Sequence, residues 1–400
     1  GNEHVCVVGD DAQSIYSFRG ARIDNILKFT QQYEGAKLFK LERNYRSTQT
    51  IVGAANSLIA NNKEQIKKDV YSKNEIGSPL ILNVAYSDVE EGEIVCNRIN
   101  MLHSKFHLKF QDIAVLYRTN AQSRIFEEGL RKRMIPYRIY GGRSFYDQKE
   151  IRDVLAYFRL VINPDDEEAL KRIINYPTRG IGNVTLEKVI QAAVESGVGV
   201  WEVLKDLERF HISISSSTSK KLNAFYEMID GFIQKRSEED AYQLGSRIIK
   251  ECGIFQEAYK SHDIESQAMQ DNLSELLNAM NTFVEFQKES GDEAHDFLTD
   301  YLSEVSLLSD TDNKETENED MVTLMTVHSA KGLEFEAIFI VGMEENLFPN
   351  TMALFSQREL EEERRLFYVA LTRAKNLCFL SCSKTRFKYG KMDFCEPSIF

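Results

Sequence analysis

Cysteine is scarce in this 400-residue chain, and its placement excludes more than its number does. The six thiols (Cys6, Cys96, Cys252, Cys378, Cys382 and Cys395) include no CxxC pair and no histidine at zinc spacing. They read as reduced, mostly buried thiols of a cytosolic protein rather than a disulfide framework or a metal centre. Long hydrophobic runs are missing as well. No stretch approaches the roughly 20 apolar residues that span a bilayer, and no signal-peptide pattern precedes residue 5. The expectation is a soluble, cytoplasmic protein with no membrane partner. There is no internal repeat, no GxxxxGK[ST] phosphate loop and no acidic strand-end motif that would hold Mg²⁺.

Net positive charge is also absent, the formal total being −13. The imbalance is local, however. Residues 289–320 carry 12 acidic side chains against Lys314 alone, a net of −11, which leaves −2 for the rest of the chain. Residues 103–149 carry 10 Lys and Arg against 4 Asp and Glu, a local +6. Overall charge therefore does not exclude an anionic partner; patches decide that.

What is present is enough apolar material, 42% of residues, for two or three domains. Short β-branched runs cluster in two regions: HVCVVG, PLILNVAY, DIAVLYRT and YRIYGG before residue 145, then VTLMTVH and EAIFIVGM after 320. Continuous apolar runs of this kind predict strands of a parallel sheet covered on both faces. Between them, over about 148–320, apolar residues recur at helical spacing in EIRDVLAYFRLV, TLEKVIQAAV, KLNAFYEMIDGFI, AYQLGSRIIKE and QDNLSELLNAMNTFVEFQ. The fold class predicted is α/β, with an all-helical domain inserted. HISISSSTSKK (211–221) reads as a loop, and SDTDNKETENED (309–320) as a mobile return linker.

Four stretches carry candidate chemistry. In VCVVGDDAQSIYSFRGA a strand ends in Gly-Asp at what would be the edge of a ligand crevice. Gln13 could orient a water or a phosphate oxygen, Arg19 could neutralise one, and Tyr16 and Phe18 could stack on a base; the bland alternative is a corner with a buried aromatic. LERNYRST places Arg43 and Arg46 around Tyr45, with Ser47 or Thr48 capping the next helix so that its N-terminal dipole faces the same anion. An ordinary capped helix with surface arginines is the alternative. In TVHSAKGLEFEAIFIVG a strand gives way to a polar turn of His328, Ser329, Lys331 and Gly332, followed by Glu334. EEERRLFYVALTRAK (361–375) reads as a helix with Leu366, Val369 and Ala370 on one face and Arg365 and Arg373 near a common edge. A charge run of that sort is usually only a solvated face.

Taken in order, GDDAQSIYSFRGA, NYRST, YRTNAQSR, GGRSFYDQKEIRD, TVHSAKGLEFE and EEERRLFYVALTRAK resemble the superfamily 1 DNA helicases of the UvrD/PcrA/Rep group, from the third helicase motif onward. The resemblance implies a remnant of a first RecA-like domain at 1–40 and a second RecA-like domain at 41–146 and 322–400, with the helical domain inserted at 147–321. It implies that Gln13 senses the terminal phosphate of ATP while Arg46 and Arg373 act as arginine fingers. Tyr45 would stack on adenine and Glu334 accept a ribose hydroxyl, with Gly332 in the same nucleotide site and Arg19 between it and the DNA. On single-stranded DNA, Tyr16 and Phe18 would stack with bases, Phe18 standing where several relatives carry tryptophan. Thr326 and His328, and Arg118 and Asn120 of the +6 region, would contact the backbone. Gly180 and Gly182 of PTRGIGNVT would approach duplex phosphates, and Tyr389, with Arg386, Lys388 and Lys391 around it, would wedge the fork.

The partners implied are single-stranded DNA, ss/ds junctions, and repair or replication proteins. ATP and Mg²⁺ are the cofactors implied for the intact helicase. Lacking the phosphate loop and metal ligands, this chain is expected to be the C-terminal portion of a longer protein, to hold neither cofactor tightly and to be inactive alone. An ATP-independent binding module derived from a helicase is the alternative. A helicase–nuclease is a third reading, though no nuclease motif is visible.

Overall fold

The computed structural model describes residues 5–261, 263–291, 295–310, 320–388 and 390–400. The chain divides into two compact units. One comprises residues 1–143, 316–386 and 392–400; the other comprises 144–315 and 387–391.

The first unit is built on strands β1 (Arg43–Asn44), β2 (Tyr71–Ser72), β3 (Ile81–Ser87), β4 (Ile113–Tyr117), β5 (Tyr137–Ile139), β6 (Val322–Thr326), β7 (Phe335–Ile340), β8 (Ala374–Lys388) and β9 (Lys391–Phe394). β1 and β2 form a separate parallel pair. The other seven make one sheet in the order β3-β8-β7-β4-β6-β5, with β9 beside β8, and every pairing along that order is parallel. β4 is buried at all five positions because both faces are covered, as a continuous apolar run requires. Ala114 and Leu116 pack with Ile51, Ala55, Leu366 and Val369 on one face, while Ile113 and Val115 pack with Val95, Ile99, Phe126 and Leu130 on the other. The mixed α/β fold with a parallel sheet is thus present.

Two local expectations give way in this unit. The strand read at HVCVVG does not form over its described residues: residues 5–10 run outside any sheet, with Val5, Val7 and Val8 exposed, since no described segment lies alongside to complete a ladder. The helix read over 361–375 spans Gln357–Leu371 and stops there; a turn at Thr372 and Arg373 leads into β8, which joins β3 to β7. Arg373 is therefore off the helix rather than on an edge shared with Arg365.

The second unit is helical around one core, in which Tyr157, Phe158, Phe225, Ile248, Leu276 and Met280 are fully buried. Its helices include Lys149–Ile162, Asn183–Ser196, Ser216–Lys235, Ala241–Glu251 and Ile264–Glu289. A third expectation changes here. The loop read at 211–221 ends at Ser215, whose hydroxyl accepts from Thr218 N at 3.2 Å. The serine cluster is an N-cap and a first helical turn, which is what serine favours when it competes for backbone amides. Most of the 309–320 tract lies outside the described residues; Ser309 and Asp310 end the helix Leu298–Asp310. Among the described residues, no helix is long and apolar enough to cross a membrane. Cys96, Cys252, Cys378 and Cys382 are buried thiols, whereas Cys6 is exposed.

Candidate functional site

The loop of residues 10–19 is held by its own aspartates. Asp10 caps the short turn Asp11–Gln13, accepting from Ala12 N at 3.1 Å, and its other oxygen accepts from Gln13 Nε2 at 2.6 Å. Lys68 Nζ bridges Asp10 (2.5 Å) and Asp11 (2.9 Å), and Ile66 N donates to Asp11 at 2.8 Å. Burial works against the Lys68 charge, yet the two carboxylates hold its pKa above the ordinary lysine range. Lys331 Nζ donates to the Gln13 carbonyl at 2.8 Å. Gln13 is thereby fixed at both side chain and main chain.

An arginine cluster draws on three elements. Arg46 donates from Nε to Glu334 at 2.6 Å and from Nη1 to the Thr372 carbonyl at 3.1 Å. Arg373, only 2% exposed, donates to the carbonyls of Val369 (3.0 Å) and Leu333 (3.1 Å) and to the Thr372 hydroxyl (3.1 Å). Burial first, and the nearby Arg46 charge second, push its pKa down to about 10, so it stays charged at neutral pH. The hydrogen bond from Arg46 holds the Glu334 carboxyl below the usual range, with Lys375 adding to it from 3.5 Å. Tyr45 is 72% exposed, with Arg43 over its ring at 4.3 Å. Gly332 is exposed in the left-handed region (φ +95°), where a glycine lets the chain turn ahead of Glu334.

The expected helix cap is not made. Thr48 holds the N-cap position without a side-chain bond, and Ser47 Oγ instead donates to the Ala374 carbonyl at 2.6 Å. The first amides of the helix Gln49–Ile59 donate to the carbonyls of Glu75 and Ile76, both at 3.0 Å. Those carbonyls consume the donors that an anion would need, so this helix end is not the anion site.

Tyr16 and Phe18 form an aromatic platform with His328. Phe18 meets the His328 ring edge-on at 5.3 Å, Tyr16 lies 6.0 Å from Phe18, and the Tyr16 hydroxyl donates to the His328 carbonyl at 3.1 Å. Arg19 stands 5.4 Å from the Phe18 ring and Lys331 5.1 Å from the Tyr16 ring. Burial, then the charges of Arg118 and Arg19, lower the His328 pKa to about 3, which keeps the imidazole neutral. Thr326, at the end of β6, pairs its hydroxyl with Ser329 at 3.0 Å.

The charge run 361–365 is no solvated face. Glu361 accepts from the amides of Lys63 and Glu64, Glu362 from Ser17 N, and Glu363 from Arg118. Arg364 donates to Asn62, and Arg365 Nε to the Ser14 carbonyl. These five residues fasten the helix to the loops around it, a role that only tertiary structure reveals. The +6 region is likewise largely committed. Arg118 grips Glu363 through Nε and Nη2 (2.8–3.1 Å), Arg124 pairs with Glu128 and Arg131 with Glu127, and Arg133 pairs with Glu93. Asn120 is exposed at the start of a short turn after β4.

In the helical unit, Gly180 is exposed at φ +71° and Gly182 is the N-cap of the helix Asn183–Ser196. Asn175 and Arg179 build that loop. Asn175 Oδ1 accepts from the amides of Arg179 and Ile181, while Arg179 donates inward to the carbonyls of Ile173, Tyr176 and Cys252. Tyr389 lies outside the described residues. Arg386 does not flank it as a surface cation: it is buried, bonded to Glu344 and Glu91 at 2.6 Å each and 4.0 Å from Asp88. Three buried carboxylates around one site require a cation among them, which keeps Arg386 inside.

A parallel sheet with polar loops after β6, an arginine turn before β8 and an aromatic platform beside them define a RecA-like domain of the helicase class. The chain belongs to the UvrD-like helicase C-terminal domain family, which matches residues 39–385, and the UvrD/REP helicase N-terminal domain family matches residues 1–34. It is 39% identical, over its whole length, to the ATP-dependent DNA helicase PcrA of Staphylococcus epidermidis, and 38% identical to that of Staphylococcus aureus. In each case it covers 54% of the relative, so the chain spans about half the length of the curated relatives it matches.

Proposed function

We propose that this chain is the phosphate-sensing and DNA-gripping part of an ATP-dependent helicase that moves 3′→5′ on single-stranded DNA and opens duplex at ss/ds junctions. The observation that carries this reading is Lys331. Its ammonium holds the Gln13 carbonyl at 2.8 Å and stands 5.1 Å from the Tyr16 ring, so one side chain joins the polar end of the loop to its aromatic end. We read residues 1–40 as part of a first RecA-like domain, 41–146 and 322–400 as the second, and 147–321 as an inserted regulatory domain.

The residues present fit one side of a nucleotide: two guanidinium groups, a glutamine amide fixed by Asp10, an exposed tyrosine face and a carboxylate. ATP with Mg²⁺, when bound, would supply phosphoryl transfer. Arg46 would exchange Glu334 for a phosphoryl oxygen, freeing the carboxylate to accept a ribose hydroxyl. Arg373 would present its charge from a buried, preorganised position, where a guanidinium acts most strongly on developing negative charge. Gln13 would orient a water or oxygen through its amide, and Tyr45 would stack on the base. Tyr16 and Phe18 would grip DNA bases, Thr326, His328, Arg118 and Asn120 its backbone, and the Gly180–Gly182 loop and Tyr389 the duplex side.

The sequence has no GxxxxGK[ST] loop, so the chain alone is expected to be inactive. The test is ATP hydrolysis with and without single-stranded DNA, measured on this chain and on the longer protein that contains it. DNA-stimulated turnover by the longer protein alone supports the reading. Turnover by this chain refutes its inactivity, and none in either refutes the helicase assignment.

A further inference from the structure

A cavity of about 420 Å³ lies between residues 14–24 and the helix Gln357–Leu371, on the loop that carries Gln13, Tyr16, Phe18 and Arg19 but lined by none of those four. Arg365 lines it and is only 2% exposed. Its Nε donates to the Ser14 carbonyl at 3.0 Å, but its Nη1 is buried with no partner. Burial holds the Arg365 pKa below the ordinary arginine range. A buried guanidinium with unused donors carries a desolvation penalty that an anion would offset.

The surroundings add to this. Arg22 and Arg358 also line the cavity, as do Ser14 and Ser17, and Arg22 has no ion pair among the described residues. Two carboxylates oppose them, and both are engaged. Asp24 pairs with Lys28 at 2.8 Å and Arg358 at 2.6 Å, and Glu362 accepts from Ser17 N at 3.0 Å. Among the residues lining the cavity, three arginines face two partnered carboxylates, and Glu361 and Glu64 also act on Arg365. A planar guanidinium with free donors matches the oxygens of a phosphoryl group.

We propose that this cavity is a phosphate-binding site in which Arg365 and Arg22 receive the anion. The inference does not require the helicase reading. Its occupant is either a free phosphate or a DNA backbone phosphodiester, and the test separates the two sources.

Binding of inorganic phosphate to this chain would be measured by calorimetry at matched ionic strength, with chloride as reference. Saturable binding that weakens at least fivefold in Arg22→Ala and disappears in Arg365→Gln is the expected result. Displacement of phosphate by a short oligo-dT assigns the site to backbone phosphodiester, and persistence beside bound oligo-dT assigns it to the free anion. If Arg365→Gln does not fold, the exposed Arg22→Ala variant decides alone. No saturable binding, or binding unchanged in Arg22→Ala, overturns the proposal. So does binding lost in Arg46→Gln but kept in Arg22→Ala, since that would place the anion at the other arginine cluster.

Discussion

The arginine cluster and the aromatic platform sit at the two ends of one loop system, yet they are prepared differently. Arg46 and Arg373 already spend their donors on Glu334 and on the carbonyls of Thr372, Val369 and Leu333. Tyr16 and Phe18 make a single hydroxyl bond, to His328, and their rings otherwise meet the cations of Arg19 and Lys331. A charge taken out of water needs partners even at rest, whereas an aromatic face costs little to leave open. On the proposed reading, the polar end must exchange bonds to take an anion, while the aromatic end must only shift Arg19 and Lys331 from its rings to take a base.

The largest expected effect lies at the polar end. In the longer helicase that the proposed function assigns this chain to, Arg373→Ala should lower DNA-stimulated ATP hydrolysis by roughly 10³–10⁵-fold, the range known for arginine fingers, with little change in DNA affinity. Circular dichroism would check that the variant is folded, because the Leu333 carbonyl loses the Arg373 donor and the Val369 carbonyl is left with the Thr372 hydroxyl. Equal loss of DNA binding would erase the division between the two ends.

At the aromatic end, Tyr16→Ala and Phe18→Ala should each weaken single-stranded DNA binding by about 1–3 kcal/mol per base unstacked. Fluorescence anisotropy reads this directly, and Phe18→Trp should strengthen binding through added ring area. Stability losses without affinity losses would mark the rings as packing groups.

His328 gives a pH signature. Its folded pKa of about 3 lies below the unfolded value near 6.5, so on acidification the unfolded chain takes the proton first. Stability conferred by the neutral ring is present above 6.5 and is lost as pH falls toward 3, at up to about 1.4 kcal/mol per pH unit. His328→Asn should flatten that part of the denaturation profile. Arg118 and Arg19 are the charges facing the ring, and Arg118→Gln should raise the pH at which the loss is complete.

The smallest effect is at Gly332→Ala. No atom lies within 4 Å of the place where the alanine methyl would stand, so only the left-handed backbone (φ +95°) resists it, at about 1 kcal/mol. A thermal melt measures this, and a cost several times larger would mean that the turn is packed rather than merely bent.

The sheet was legible wherever a run was apolar on consecutive positions, as in β4, β6 and β7. β8 was hidden because LTRAK continues the helical spacing of the residues before it, and only the turn at Thr372–Arg373 breaks it. The residue types of the site were legible from motif order. Their commitments were not: Arg386, Arg118 and the run 361–365 read as surface charge, but distant carboxylates and carbonyls draw them inward. No spacing in the chain signals a partner some 245 residues away, as Glu363 is to Arg118. Lys68 is missed for the same reason, its two aspartates lying 57 and 58 positions earlier.

The most direct test of the central claim is anisotropy of labelled oligo-dT with this chain and its Tyr16→Ala/Phe18→Ala double variant across a salt series. Binding should be indifferent to sequence and fall with salt at a log–log slope of about −0.7 per phosphate contacted, and it should be lost or nearly lost in the double variant. Wild type and double variant binding alike, or no binding by either, would contradict the assignment of this loop to DNA.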